Sequence, residues 1–249
     1  MNKVVTIHSF RQSVGKSNLT ANLACLLSLQ GKRVALVDTD FQGASAHLFF
    51  GYKDGDIQST FNDFLWKKCD IAQATYDVTV RLGDQAEGKL YLIPASTQIS
   101  DIMQMLRACM NIDRFTEGLE KLEKELALDI ILVDTHAGLN ENTLMAMAIS
   151  NSLILVLHPD PQDFQGTAIS VEVAQRLMVP SIKLVLNDSS PNLNPEEVSQ
   201  QLEATYHCGG GSVLNHTEEL LALASSQPFV LAYPDHPLTD HIKSIAENL

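Results

Sequence analysis

Residues 9–18 read SFRQSVGKSN and join an apolar run at Val4–His8 to a stretch of helical periodicity from about Lys16 to Gln30. The first run is rich in β-branched residues, which favour a buried strand. Gly31 ends the helical pattern, and the next apolar run follows at Arg33–Val37. The sequence therefore predicts strand, loop, helix and strand, the repeating unit of a parallel sheet with crossover helices.

The rest of the chain continues this alternation. Four further apolar runs are predicted as strands: Leu90–Ile93, Ile130–Val133, Leu153–Leu157 and Ile182–Leu186. Helices are predicted at about Ile99–Arg107, Arg114–Glu125, Glu141–Ser150, Phe164–Arg176, Pro195–Tyr206, Thr217–Ser225 and Leu238–Asn248. Because the strands are nearly continuous apolar runs, we expect an α/β fold with a mostly parallel central sheet and helices on both faces.

The composition is that of a globular protein. Of the 249 residues, 45% are hydrophobic and 19% are charged, so the chain can bury a full core. We expect a single domain over residues 1–249, with an irregular insertion near 52–88. No run approaches the roughly 18 apolar residues of a membrane helix, and the first residues lead into a strand rather than a signal peptide. We therefore expect a cytoplasmic protein.

Charge and cysteine spacing exclude several classes of site. The 17 Lys and Arg against 30 Asp and Glu give a net charge of −13, and only Arg176, Lys183 and Lys243 follow Lys124 among the basic residues. Binding to nucleic-acid phosphates or to an anionic membrane requires clustered basic residues, so the sequence argues against both. The four cysteines contain no CxxC pair, which argues against a zinc site, a disulfide framework or an iron–sulfur cluster.

The tripeptide Gly15-Lys16-Ser17 opens the first predicted helix, directly after a strand and a loop. Backbone N–H groups at a helix start bind phosphate oxygens, and glycine lets the backbone approach them closely. A lysine there adds positive charge beside the β- and γ-phosphates, and a serine hydroxyl ligates Mg²⁺. The general pattern GxxxxGK[ST] is not met, because Phe10 stands at the first glycine position.

The same loop resembles the deviant Walker A motif, KGGxGK[ST], of the MinD/ParA family of P-loop ATPases. Residues 38–43, DTDFQG, are similar to that family's DxDPQG, and residues 131–138, ILVDTHAG, resemble its Walker B strand with the DTxxG continuation. Residues 184–187, LVLN, resemble the strand that ends in an adenine-reading asparagine. The resemblance covers most of the chain and implies a P-loop NTPase of the SIMIBI type.

The resemblance also implies a set of site residues. Nucleotide contacts are implied at Ser13, Val14, Gly15, Lys16, Ser17, Asn18 and Asn187. Mg²⁺ is implied at Ser17, Asp40 and Asp134, with Asp134 acting through the water shell of the ion. The implied catalytic residues are Lys16, Asp40, which orients or activates the attacking water, and Arg11, which stands at the signature lysine position and reaches the partner subunit's phosphates.

The residues alone leave simpler interpretations open. Asp38 and Asp40 follow a strand and also fit turn or cap carboxylates, and Asn187 fits a strand-end turn residue. Arg11 also fits an ordinary exposed loop arginine. His136 lies at a position that is usually small or proline in the family, and we interpret it as structural or solvent-facing.

Gln12 and Ser13 depart most from the family pattern, since they occupy its two glycine positions. Side chains there can resist a positive φ or clash across a closely packed dimer. The resemblance implies an ATP-dependent homodimer that binds Mg²⁺ and ATP, hydrolyses ATP slowly, and controls the positioning or assembly of a protein partner or cargo. The short, acidic last helix argues against membrane targeting, and residues 52–88 are a candidate partner contact.

Two alternative functions remain. The changes at Gln12 and Ser13 are consistent with a nucleotide-binding regulatory scaffold whose hydrolysis is impaired. Related P-loop folds also include ATP-dependent synthetases of the dethiobiotin and cobyrinate type, in which a carboxylate substrate drives ATP consumption.

Overall fold

The computed structural model describes residues 3–84 and 86–249, and within them eight strands form one sheet. The strands are β1 (Lys3–His8), β2 (Arg33–Thr39), β3 (Tyr76–Asp77), β4 (Lys89–Ile93), β5 (Ile130–Thr135), β6 (Ser152–Leu157), β7 (Ser181–Ser189) and β8 (Gly211–Asn215). Their spatial order is β3-β4-β2-β5-β1-β6-β7-β8. All neighbours pair in parallel except β3 and β4, which confirms the predicted, mostly parallel sheet.

Helices connect the parallel strands. Within the same residues they are α1 (Lys16–Leu29), α2 (Phe61–Leu65), α3 (Ile99–Arg107), α4 (Ile112–Leu126), α5 (Glu141–Ala148), α6 (Pro161–Arg176), α7 (Pro195–Tyr206), α8 (Glu218–Leu223), α9 (Phe229–Ala232) and α10 (Pro237–Glu247). None of the described helices has both the length and the apolar character needed to cross a bilayer.

Both faces of the sheet are covered by apolar side chains. On β1, Val5 and Ile7 belong to the core that includes α1 and α10, whereas Val4 belongs to the opposite core with Phe61 and Phe115. Successive side chains of a strand point to opposite faces, so a strand between two cores must be apolar at almost every position. This double burial explains why the strands read as continuous apolar runs.

A close contact fixes α4 on one face. Gly118 lies against the ring of Phe64, and a Cβ atom at Gly118 would lie 2.5 Å from a ring carbon. Phe64 in turn stacks on Phe61, with ring centroids 5.9 Å apart. The glycine therefore allows an approach between α4 and α2 that a larger residue would prevent.

The segment 52–88 contains α2, the edge strand β3 and three short 3₁₀ helices at Asp54–Asp56, Ile71–Ala74 and Thr79–Leu82. The Tyr76 hydroxyl accepts hydrogen bonds from the backbone N–H groups of Gln58 and Ser59 and donates to the carbonyl of Ser59. Within this irregular segment the sequence also allows a helix at Ser59–Trp66, and α2 occupies Phe61–Leu65 of that range. The sequence HCGGGS at residues 207–212 predicts a loop. That prediction is wrong at its end, because Gly211 and Ser212 pair with β7 as the start of β8.

Candidate functional site

The loops that follow β1, β2 and β5 meet at the carboxyl-terminal end of the sheet. Asp38 of β2 lies in register beside Asp134 of β5, and Asp134 lies in register beside Ile7 of β1. Because these three strands are parallel neighbours, their carboxyl ends emerge together, as at other ligand sites of open α/β sheets. The order of the strands thus gathers side chains that are far apart in the sequence.

The loop between β1 and α1 has the backbone shape of an anion site. Gly15 caps α1 in the left-handed region, with φ 94° and ψ 13°, and the cap forms no side-chain hydrogen bond. The first N–H groups of the helix are therefore available to an anion. A Cβ atom at Gly15 would lie 2.4 Å from Asn187 Nδ2, so a larger residue would displace the Asn187 amide in addition to straining the positive φ. Ser13 adopts a φ of 61°, so it does take the positive φ that the sequence made questionable.

Lys16 and Asp134 are buried beneath this loop. Burial lowers the pKa of Lys16, and the nearby Asp134 and Asp40 act in the opposite direction. Burial raises the pKa of Asp134 to about 7, although a hydrogen bond from Ser17 and the charge of Lys16 oppose the rise. Asp134 Oδ1 accepts a hydrogen bond from Thr20 at 3.4 Å, and Oδ2 accepts none from the described residues. A buried carboxylate oxygen without a donor is costly unless a cation or ligand engages it.

Asp38 has a structural role in the loop after β2. Its Oδ1 accepts the backbone N–H of Asp40 at 2.9 Å, and its Oδ2 accepts those of Ser45 and Ala46, both at 3.2 Å. Burial raises the pKa of Asp38 well above its ordinary value, and the charges of Asp134 and Asp40 add to the rise. These contacts support the cap interpretation for Asp38.

Asp40 is held by a histidine and by its own loop. Its Oδ1 accepts hydrogen bonds from His136 Nδ1 at 2.8 Å and from the backbone N–H of Gly43 at 2.9 Å. Burial alone would raise the pKa of Asp40, but the hydrogen bond and charge of His136, the Gly43 N–H and Lys16 lower it below the ordinary value. Asp40 is therefore an ionised acceptor in the site.

Two cavities meet at the phosphate loop. The first, of about 560 Å³, is lined by residues that include Gln12, Lys16, Ser17, Asp40 and His136. The second, of about 310 Å³, is lined by Asn187, Asn215 and apolar side chains that include Leu214, Leu220 and Ile242. Ser13, Gly15 and Asn18 line both cavities.

The side-chain amide of Asn187 contacts the phosphate loop. Its Nδ2 donates a hydrogen bond to the carbonyl oxygen of Val14 at 3.0 Å. The side chain therefore contacts the phosphate loop directly and lies at the wall of the smaller cavity. This placement explains why a Cβ atom at Gly15 would displace the Asn187 side chain.

Arg11 points to α6 in its own chain. Its Nη1 lies 3.0 Å from Asp160 Oδ1, and its Nε lies 3.5 Å from Asp163 Oδ1. Asp160 caps α6, and Asp163 is almost fully buried, at 3% exposure of its side chain. The guanidinium does not line the larger cavity, so within its own chain Arg11 contacts α6 rather than the phosphate site.

A family model described as an AAA domain matches residues 2–193 of the chain. This chain is a member of the MinD/ParA family of P-loop ATPases. The chain is 28% identical over 254 residues to an uncharacterised ATP-binding protein of Methanocaldococcus jannaschii, a match that covers 98% of this chain and 86% of that protein. It is 25% identical over 193 residues to the septum site-determining protein MinD of Synechocystis, covering 78% of this chain and 67% of the relative.

A solved MinD structure confirms the predicted fold class. The septum site-determining protein MinD complexed with Mg-ADP, from Pyrococcus horikoshii, superposes on this MinD/ParA member with a TM-score of 0.81 at 22% identity. The superposition covers 100% of this chain and 96% of the MinD chain. At this identity the likeness establishes the P-loop NTPase fold.

In this MinD/ParA member one contact at the site follows from no sequence motif. Gln12 Nε2 lies 3.4 Å from His136 Nε2, and the other ring nitrogen of His136 bonds Asp40. His136 is thus part of the site rather than solvent-facing. The position of His136 two residues after Asp134 was the available signal, but its contact with Gln12 spans 124 residues and depends on the loop geometry.

Proposed function

We propose that this chain binds ATP with Mg²⁺, hydrolyses it slowly, and forms an ATP-dependent homodimer that controls the position or assembly of a protein partner or cargo. The observation that carries the proposal is the placement of Lys16, Ser17 and Asp40 around one cavity at the start of α1. Asp134 lies beneath them and interacts with both Ser17 and Lys16. This is the set of groups that phosphoryl transfer requires for positioning and charge neutralisation.

The two cavities fit the two ends of ATP. The phosphates would occupy the larger cavity, where Gly15, Lys16 and Ser17 present backbone N–H groups and a positive charge. The base would occupy the smaller, more apolar cavity beside Asn187. Ser13, Val14 and Asn18 belong to the loop and first turn between them, which supports nucleotide contacts at these positions.

The residues fit Mg²⁺, which prefers oxygen ligands and keeps several waters. Ser17 offers a hydroxyl, and Asp134 offers a buried carboxylate oxygen that accepts no hydrogen bond from the described residues. Asp40 adds a second carboxylate at the edge of the cavity. When bound, the ion neutralises charge on the phosphate oxygens. The Mg-ADP complex of the Pyrococcus relative supports this assignment.

Hydrolysis needs a water placed in line with the γ-phosphate. The water oxygen bonds to the γ-phosphorus while the bond from that phosphorus to the β–γ bridging oxygen breaks, which gives ADP and inorganic phosphate. Asp40 orients the water, because its lowered pKa keeps it an ionised acceptor. Lys16 holds the phosphates, and Arg11 completes the site from the partner subunit after leaving Asp160 and Asp163.

The partner is a protein rather than nucleic acid or an anionic membrane. A net charge of −13, with three basic residues after Lys124, repels phosphate-rich surfaces. The segment 52–88 is the proposed contact, since it contributes the edge strand β3 of the sheet. A role in positioning is supported by the septum site-determining relative.

The test compares Lys16→Ala with Lys32→Ala, a matched control at an exposed lysine after α1. We expect calorimetry to show weakened ATP binding, and phosphate release to be abolished, only in Lys16→Ala, because only Lys16 lines the cavity. Unchanged affinity and turnover in Lys16→Ala would refute the phosphate site.

Light scattering after size exclusion tests the dimer. Wild type and Asp40→Ala are compared without nucleotide, with Mg-ADP and with Mg-ATP, and phosphate release is recorded in the same samples. We expect a dimer only with Mg-ATP, strongest in Asp40→Ala, which binds ATP but hydrolyses it slowly. An unchanging oligomer that binds ATP without hydrolysis would favour the scaffold alternative, and ATP consumption driven by a carboxylate substrate would favour the synthetase.

A further inference from the structure

The two oxygens of the Asp40 carboxylate differ in their hydrogen bonds. Oδ1 accepts from His136 Nδ1 at 2.8 Å and from the backbone N–H groups of Gly43 at 2.9 Å and Gln42 at 3.3 Å. Within residues 3–84 and 86–249, no group donates to Oδ2. The carboxylate is therefore held through one oxygen, and the other oxygen keeps its capacity to accept.

The hydrogen bonds also assign the tautomer of His136. An ionised carboxylate can only accept, so the hydrogen in the contact with Asp40 belongs to Nδ1. In the neutral ring Nε2 is then an acceptor, and the amide nitrogen of Gln12, 3.4 Å away, is a donor. Gln12 thus favours the tautomer that Asp40 requires.

The contacts of His136 with Gln12 and Asp40 link three loops around the larger cavity. Gln12 follows β1, Asp40 follows β2, and His136 follows β5. The side chains of His136 and Asp40 are only 16% and 15% exposed. A hydrogen bond to an ion is stronger where water is largely excluded, so the contact can fix the orientation of the carboxylate.

We propose that His136, oriented by Gln12, is a positioning residue that holds Asp40 so that Oδ2 accepts a hydrogen bond from the attacking water. The inference rests on the ATP hydrolysis proposed above. His136 acts through Asp40 and contacts neither water nor nucleotide in this role. Without it, Asp40 is held only by two N–H groups of its own loop, and the carboxylate can rotate away from the water.

The test uses a matched set of substitutions at His136. In His136→Asn the amide nitrogen occupies the position of Nδ1 and can donate to Asp40. In His136→Gln the amide reaches the position of Nε2 instead. In His136→Ala and His136→Gln we expect kcat for ATP hydrolysis to fall by about 10- to 100-fold, the range expected for a lost hydrogen bond to a charged group. We expect His136→Asn to keep most of kcat, and KM for ATP to stay unchanged in all three.

A second measurement determines the tautomer of His136 and does not depend on ATP hydrolysis. In protein labelled with ¹⁵N-histidine, the ring signals of His136 are assigned by their loss in His136→Ala. At a pH where the ring is neutral we expect the hydrogen on Nδ1, and we expect the share on Nε2 to rise in Gln12→Ala. A neutral ring with its hydrogen on Nε2 in the wild type would contradict the assignment.

The outcomes separate this inference from the proposed function. If the wild type hydrolyses ATP and His136→Ala keeps its kcat, the positioning role is overturned and the proposed function stands. Equal losses in His136→Asn and His136→Gln, or a rise in KM in place of the fall in kcat, overturn it as well. A wild type that does not hydrolyse ATP overturns the proposed hydrolysis itself, and the positioning role with it.

Discussion

Replacement of His8 by asparagine should remove part of the acid sensitivity of the fold. His8 ends β1 directly before the phosphate loop and is fully buried. Its Nδ1 lies 2.9 Å from the hydroxyl of Thr135, and its Nε2 has no hydrogen-bond partner among the described residues. Burial, followed by the charge of Lys16, lowers the pKa of His8 from 6.5 to about 3. The folded protein therefore keeps this ring neutral down to acid pH.

The sign and size of the effect follow from proton linkage. Below its ordinary pKa of 6.5, His8 binds a proton in the unfolded chain but not in the folded one. The stability that comes from the neutral ring is present above pH 6.5 and is lost as the pH falls toward 3. Between pH 7 and pH 5, His8 alone should lower the free energy of unfolding by about 2 kcal/mol.

Urea unfolding of wild type and His8→Asn at pH 7 and pH 5, without nucleotide, measures this effect. The asparagine amide can still contact Thr135, although the smaller side chain lowers stability at both pH values. Other groups titrate in both proteins and cancel in the comparison. We expect the loss of stability between pH 7 and pH 5 to be about 2 kcal/mol smaller in the variant. An equal loss in both proteins would show that His8 is not held neutral by burial.

Two further predictions concern packing and the arginine of the phosphate loop. Gly118→Ala should lower the free energy of unfolding in urea by about 1 kcal/mol, because the clash with Phe64 outweighs the helix propensity gained; a more stable variant would show that the ring moves freely. If Arg11 acts across the dimer, mixing Arg11→Ala with Asp40→Ala should restore part of the phosphate release, since hybrid dimers contain one site with neither defect. No recovery would assign Arg11 a role within its own chain, beside Asp160.

The sequence predicted most of the sheet and its helices, because double burial leaves continuous apolar runs and because helix ends carry recognisable residues. The helix over Pro195–Tyr206 was confirmed at both ends, since Asn194 caps it and proline occupies its first turn. β8 was not predicted, because its glycine and serine are typical of a loop and only its pairing with β7 makes it a strand. β3 is two residues long and leaves no periodic pattern.

The candidate site was predictable to the extent that it depends on strand ends. Lys16 and Asp40 follow β1 and β2, and Asp134 lies near the carboxyl end of β5. Adjacent parallel strands bring such residues together. Their roles stay predictions. The contact of Gln12 with His136 and the pairing of Arg11 with α6 depend on loop shapes that no local pattern encodes.

The bond from Asn187 to the phosphate loop also fixes an amide at the wall of the smaller cavity. One N–H of Nδ2 donates to the carbonyl of Val14, so the oxygen and the second N–H of the amide stay available to a ligand. Any movement of the phosphate loop would therefore move this amide as well, which couples the geometry of the two cavities.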